Sequence, residues 1–238
     1  MLTTLDAKGG SLSGVGANPV QPEDAIAWFE GKRKLLSKPA WLALTAAARK
    51  RAFTVAWATS AQVLSDIKAS LDKALAEGTS FKDWKKDLRA KTADRWTTGD
   101  AHLETVFRNN LQSAYNAGRH RAAKDPLTLK LRPFWKLTVL LDDRTSAYCK
   151  PLASPPVILP ADDPWWDSNY PPRHHRCRAS VLTLTKRAAE REGVSKKAPT
   201  TKAQAGWGST EGFEDWAPDH AGYDPTIFKK AADSANTP

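Results

Sequence analysis

Residues 132–185 read RPFWKLTVLLDDRTSAYCKPLASPPVILPADDPWWDSNYPPRHHRCRASVLTLT, and the two ends of this stretch differ in kind from its middle. Trp135–Leu141 (WKLTVLL) and Ser180–Thr185 (SVLTLT) are rich in β-branched and aliphatic residues, which suits strands. Between them Pro, Asp and Asn are dense enough to forbid a helix, so the spacing predicts an ordered loop system framed by two paired strands. The stretch also holds both cysteines of the chain, Cys149 and Cys177, two of its five histidines, His174 and His175, and three of its ten tryptophans.

Upstream the pattern changes to helix. Pro22-Glu23-Asp24 opens a first helix, with Pro in the first turn and acids at its positive end. It carries Ile26, Trp28, Phe29, Leu35 and Leu36, with Gly31 as a weak point. A longer helical segment is expected from about Pro39 to Ala76, in which Val63, Ile67, Leu71 and Leu75 recur every four residues and Gly78 ends the run. Thr79-Ser80 precedes a short helix burying Phe81, Trp84 and Leu88. The next helix, Asp100 to about Lys124, has one apolar stripe of Leu103, Val106, Phe107, Leu111, Ala114 and Tyr115. Asp100 is expected as its N-cap and Asp125-Pro126 as its stop. Arg108, Gln112 and Asn116 recur on another face, which pattern alone reads as solvated. Downstream, residues 186–193 read as a short helix, 194–206 as a linker, and the rest as an extended arm with scattered aromatics. The expected fold class is therefore α+β. The expected organisation is a flexible arm over 1–20, a helical region over 21–94, a mixed domain with a small antiparallel sheet over 95–188, and a linker and C-terminal arm over 189–238.

Composition limits the function. The formal charge is +10 with a pI near 9.6, which favours polyanionic partners. The basic residues are spread rather than clustered: residues 101–150 carry nine Lys and Arg against four Asp and Glu, with no basic run longer than three anywhere. Such a spread suits nonspecific phosphate contact better than sequence reading. The N-terminal stretch has no basic region followed by an apolar core, so no signal peptide is expected. No apolar run approaches the roughly 18 residues a membrane-crossing helix needs, so no membrane partner is expected. Two cysteines in a chain of this length do not make a secreted disulfide scaffold, which points to a reducing cytoplasm or a particle assembled there.

One cluster carries metal-binding chemistry. His174-x-x-Cys177 has the spacing with which a turn wraps one ion, and Cys149 can reach it across the strand pair. A fourth ligand would have to be His175 or an acid such as Asp143. No cofactor is expected, although a structural zinc, a Cys149–Cys177 disulfide and two unlinked thiols all remain open. Ser146, Cys149, Asp142 and Asp143 share the region with the histidines, but no nucleophile and base are paired by spacing. There is no HExxH and no phosphate-cradling glycine loop. The turn Asp143-Arg144-Thr145-Ser146 has a structural use, with Asp and Ser accepting backbone N–H groups and Arg144 free to fork onto a carboxylate or phosphate.

These residues, taken in order, resemble the phage head morphogenesis family of Mu F-like minor head proteins. The resemblance rests on the Tyr-Asn-Ala-Gly-Arg phrase ending at Arg119, the Leu-Asp-x-Arg-Thr run Leu141–Thr145, and Pro-Pro-x-His-x-x-Cys-Arg from Pro171 to Arg178, followed by a strand. It covers about residues 95–185. Many members have Cys-Arg-Cys where this chain has Cys177-Arg178-Ala179, so one possible metal ligand is absent. The resemblance implies a non-enzymatic virion component of a tailed phage or prophage head, associated with the portal vertex and acting in head assembly and DNA packaging or delivery. Its implied partners are the portal protein, the major capsid or scaffolding protein, and double-stranded DNA bound nonspecifically. Arg108, Arg119, Arg144 and Arg178 are the candidate DNA or partner contacts, and Cys149, His174 and Cys177 the candidate metal ligands. Two other classes compete: a DNA-binding module working outside any particle, and a metal-dependent hydrolase or nuclease built on Cys149, His174, His175 and Cys177.

Overall fold

A computed structural model describes residues 22–32, 34–36, 40–41, 43–44, 52–55, 60–92, 95–96, 98–211 and 213. The expectations for residues 1–20, and for the aromatics Trp216, Tyr223 and Phe228, lie outside these. Among the described residues the chain has seven helices, a three-stranded antiparallel sheet and a short two-stranded pair. This is the α+β class the sequence predicts.

The helical half comes first. Helix α1 (Pro22–Glu30) ends before Leu35, which lies instead in strand β1 (Lys34–Leu35), paired in parallel with β2 (Ala52–Phe53). The long helix expected from about Pro39 is therefore corrected. The run Ala52-Phe53-Thr54-Val55 is aromatic and β-branched, and residues 52–53 use that preference in a strand. Helix α2 (Ala61–Glu77) starts only after Ser60, whose hydroxyl accepts the Val63 N–H, and ends at Gly78 in the left-handed conformation. Ser80 accepts the Asp83 N–H to start α3 (Phe81–Thr92). Val63, Ile67 and Leu71 of α2 meet Trp84 and Leu88 of α3 in one buried core with Phe29, Phe53 and Val55. Within it the Trp84 indole N–H donates to the buried Ser70 hydroxyl, at 2.9 Å.

Helix α4 (Asp100–Lys124) joins the two halves. Its 25 residues extend about 37 Å, long enough to enter two cores in turn. Leu103, Val106, Phe107 and Ala114 belong to the helical core, whereas Ala117 and Ala123 belong to a second core on the sheet. Gly118 is where α1 crosses it: a Cβ there would lie 3.0 Å from the backbone nitrogen of Ala25. The N-cap of α4 is Gly99, not Asp100. Asp100 sits one residue inside, where its carboxylate pairs with Lys85 at 2.6 Å and Arg89 at 2.5 Å and so ties α3 to α4.

Asp125 ends α4 and starts α5 (Pro126–Leu131), its carboxylate accepting the Thr128 N–H. Strand β3 (Phe134–Thr138) then forms the centre of the sheet, flanked by β4 (Ile158–Pro160) and β5 (Ser180–Leu184). β4 lies within the stretch read as loop, and its three residues are too short a run to stand out from the prolines around it. The same stretch also forms a five-residue helix, Trp165–Asn169, where none was expected, because Pro164 stands at its N-cap and leaves the helix interior free of proline. The register places Trp135 beside Leu159 and Thr183, and Leu137 beside Val181. This face is buried against α4 and against α6 (Trp165–Asn169). Phe134, Ile158 and Leu184 take the other face, covered by Ala189 of α7 (Lys186–Glu192). Beyond α7 the chain returns across its own domain. Ser195 exchanges hydrogen bonds with Ile158, Gly208 N–H donates to Pro172, Thr210 N–H donates to Asp167, and Phe213 is buried in the sheet core. Gly208 has φ +82, and a Cβ there would lie 2.5 Å from the Ser168 carbonyl oxygen, so this crossing requires glycine.

Candidate functional site

The turn that precedes β5 brings together the residues singled out for metal chemistry. Cys149 follows the Asp142–Thr145 turn, while His174 and Cys177 lie in the turn between Pro172 and β5; all three are buried. One donor atom from each lies within 4.8 Å of the others, and the two sulfurs are 3.9 Å apart. His174 Nδ1 lies 2.7 Å from the His175 carbonyl oxygen, to which it donates. In the neutral ring the lone pair is then on Nε2. Tyr148 stacks on the imidazole at a centroid distance of 6.0 Å.

The two sulfurs influence each other's protonation. Hydrogen bonding to Cys149 draws Cys177 toward the thiolate against the effect of burial, and His174 adds to this. The same contact with Cys177, helped by burial, pushes the Cys149 thiol up. Burial opposes protonation of His174, but the contacts with Cys177 and the His175 carbonyl outweigh it and leave the imidazole raised. Arg173 supplies a fixed positive charge beside the sulfurs. It is fully buried, with Nη1 donating to Asn169 O at 3.0 Å and Oδ1 at 2.6 Å, Nη2 donating to Thr201 O at 3.1 Å, and its guanidinium over the Trp165 ring.

The turn is held from α4. Asn109 Oδ1 accepts the Arg176 N–H at 2.6 Å, and Asn109 Nδ2 lies 3.1 Å from His175 Nδ1. Arg176 has φ 57, a left-handed conformation unusual for a residue with a side chain, so this hydrogen bond sits where the backbone is least favourable. Gln112 and Asn116 both donate to the Ala179 carbonyl, and Asn116 is fully buried. The face of α4 expected to be solvated is therefore in part the platform for the turn. From the other side Gln204 bonds the backbone of Arg173 and His175, and Trp207 packs edge-on against His175 at 4.8 Å.

Residues 65–182, from α2 into β5, match the family described as Phage Mu protein F like protein. Over those residues the chain belongs to the Mu F-like family. The Mu-like prophage FluMu F protein of Haemophilus influenzae is 32% identical over 168 residues, covering 65% of this chain and 40% of that protein. The putative capsid assembly protein F of Escherichia phage Mu is 29% identical over 182 residues, covering 69% of this chain and 40% of that protein. The chain thus spans well under half the length of either relative. No solved structure matches.

The Mu F-like region distributes the four candidate contact arginines differently from one another. Arg108 pairs with Glu104 at 2.7 Å, one turn away on α4, and Glu104 also receives Arg176 at 2.6 Å. Arg119 is half-buried beside Tyr170, and burial pushes its pKa down. Arg178 forks onto Asp142, at 2.5 and 2.7 Å. Arg144 is the outward one, its side chain 76% exposed and 3.7 Å from Asp142. In the turn it is Asp142 and Thr145 that accept the backbone N–H groups, in place of the expected Asp143 and Ser146, and the arginine that forks is Arg178 rather than Arg144. Of the two fourth ligands considered, His175 is engaged by Asn109 and Trp207, Asp143 is exposed, and neither joins the cluster. Arg173, Asn109 and Asn169 gave no signal in the sequence. Their importance comes from burial and partners far along the chain, which periodicity does not encode.

Proposed function

We propose that this chain is a minor head protein of a tailed phage or prophage, acting in capsid assembly at the portal vertex as a structural component of the virion rather than as a catalyst. The observation that carries the reading is the family match across α2 to β5, together with the similarity to a protein described as a putative capsid assembly protein. The matched residues supply most of both cores and the whole Cys–His cluster. The surface agrees with a role in assembly. Leu127 and Leu131, one helical turn apart on α5, and Leu140 and Leu141 after β3 are exposed apolar residues available to a protein neighbour, for which we infer portal, capsid or scaffolding subunits. The net charge of +10 and the outward Arg144 suit nonspecific contact with packaged duplex DNA. No helix among the described residues is long and apolar enough to cross a membrane.

Quantitative mass spectrometry of purified DNA-filled heads and empty proheads tests this reading. A few copies per particle, tracking the portal protein, is the expected result. Absence from both, with the protein free in the lysate, overturns it.

A further inference from the structure

The Cys149–His174–Cys177 cluster carries an inference independent of the head-assembly reading. Three side chains from two separated turns converge, not two, so a simple thiol pair does not account for the arrangement. The sulfur separation of 3.9 Å is close to the spacing two thiolates adopt on one tetrahedral zinc, about 3.8 Å for Zn–S bonds of about 2.3 Å. The His174 ring is already oriented for ligation: Nδ1 is committed to the His175 carbonyl, which leaves Nε2 as the donor nitrogen. A backbone carbonyl holding the distal nitrogen is the usual outer support of a metal-bound histidine. Arg173, buried beside the sulfurs and anchored on Asn169 and Thr201, compensates the second thiolate charge. Asn109 and Gln204, through the backbone of residues 173–176, fix the turn from both sides.

We propose that Cys149, His174 and Cys177 bind one zinc ion through two thiolates and the His174 imidazole, with water in the fourth position. The ion joins the turn after β3 to the turn before β5. It is a structural site: among the described residues no carboxylate belongs to the cluster to act as a general base. Binding releases thiol protons, and the positive ion then neutralises the two buried sulfurs.

The test uses the full chain, prepared under reducing conditions and analysed for metal by mass spectrometry of the elements. One zinc per chain is expected, together with slow reaction of both cysteines with a thiol reagent that becomes fast on chelation. Cobalt(II) added to the chelated chain should give tetrahedral bands with a thiolate-to-metal charge-transfer absorption, a readout that needs no variant. Cys177→Ser and His174→Ala should each reduce bound metal from one to near zero. A folded, reduced wild-type chain that takes up neither zinc nor cobalt overturns the proposal. So does an intact mass two hydrogens lighter in the protein as isolated from cells, which would make the pair a disulfide.

Discussion

The two cores of this chain are made by different means. The helical core is a matter of period: Val63, Ile67 and Leu71 on α2, Trp84 and Leu88 on α3, and Leu103, Val106 and Phe107 on α4 meet because each helix puts its apolar residues on one side. The turn before β5 owes its shape to individual polar contacts. Arg173 sits among carbonyl oxygens, Asn109 holds a left-handed Arg176, and Gln112 and Asn116 reach the Ala179 carbonyl. Loss of one side chain therefore has different consequences in the two regions. In the first it removes burial that many neighbours share, and in the second it removes the particular bond that fixes a local conformation.

Trp84→Ala gives the largest expected effect. It empties a fully buried site, leaves the buried Ser70 hydroxyl without its indole donor, and removes ring contacts with Phe107 at 5.0 Å and Phe81 at 6.1 Å. A loss of about 4 kcal/mol is expected in denaturant unfolding followed by circular dichroism. Because α4 enters both cores, the loss should appear in one cooperative transition. Two separated transitions, with the aromatic signal of the sheet core unchanged in the first, would mean that α4 does not couple the halves.

The same contrast decides what could be read before the structure. The stripes of α2, α3 and α4 and the stop at Asp125-Pro126 were legible, because 3.6-residue spacing and capping are local properties. The strand at residues 52–53 was not, since its alanine and valine neighbours also fit a helical register. Cys149, His174 and Cys177 could be grouped from spacing and from the Mu F-like resemblance. Their support by Asn109, 65 positions before His174, could not, because nothing in a single sequence ties a polar residue on a helix to a distant amide. The aromatics of the C-terminal stretch announced packing without naming a surface. Phe213 and Trp207 turn out to lie against Trp28, His120, Tyr170 and His175 of the same chain.

Asn109→Ala sharpens the comparison at the second region. The side chain lies outside both cores, so burial alone gives it almost no weight, yet it accepts the Arg176 N–H at 2.6 Å. Removing that acceptor leaves a left-handed residue without its anchor, and a loss of about 1–2 kcal/mol is expected. Hydrogen exchange at the Arg176 amide should accelerate while amides in α2 and α3 stay protected. Asn109→Asp keeps the acceptor and should recover most of the protection. If Asn109→Ala instead exposes the amides of α2 and α3 to the same degree, the turn is part of the global core and the distinction between the regions fails.

The smallest effect is electrostatic and concerns the Asp142–Arg178 fork that fastens the turn after β3 to the turn before β5. The hydrogen bonds from Arg178, with further help from the Arg144 N–H and the Thr145 hydroxyl, hold the Asp142 carboxyl well below the usual carboxylate range despite some desolvation. A carboxylate whose folded value is depressed stabilises the fold fully above its unfolded value, about 3.9, and loses that contribution as pH falls through the lower folded value. Asp142→Asn removes the charge but keeps an oxygen for the Arg144 and Thr145 contacts. The difference in melting temperature between wild type and Asp142→Asn should therefore be level from pH 7 to about pH 5 and shrink below about pH 4. Asp100 and Glu104, also held low chiefly by hydrogen bonds from Lys85 and Arg108, are common to both proteins and cancel in the difference. Since the pair is partly exposed, the level part of the difference should also fall as salt is raised. A difference that is independent of both pH and salt would assign the fastening to the neutral bonds of Thr145, whose hydroxyl also donates to the Leu140 carbonyl at 2.7 Å, and the ion pair would then follow the turn rather than fix it.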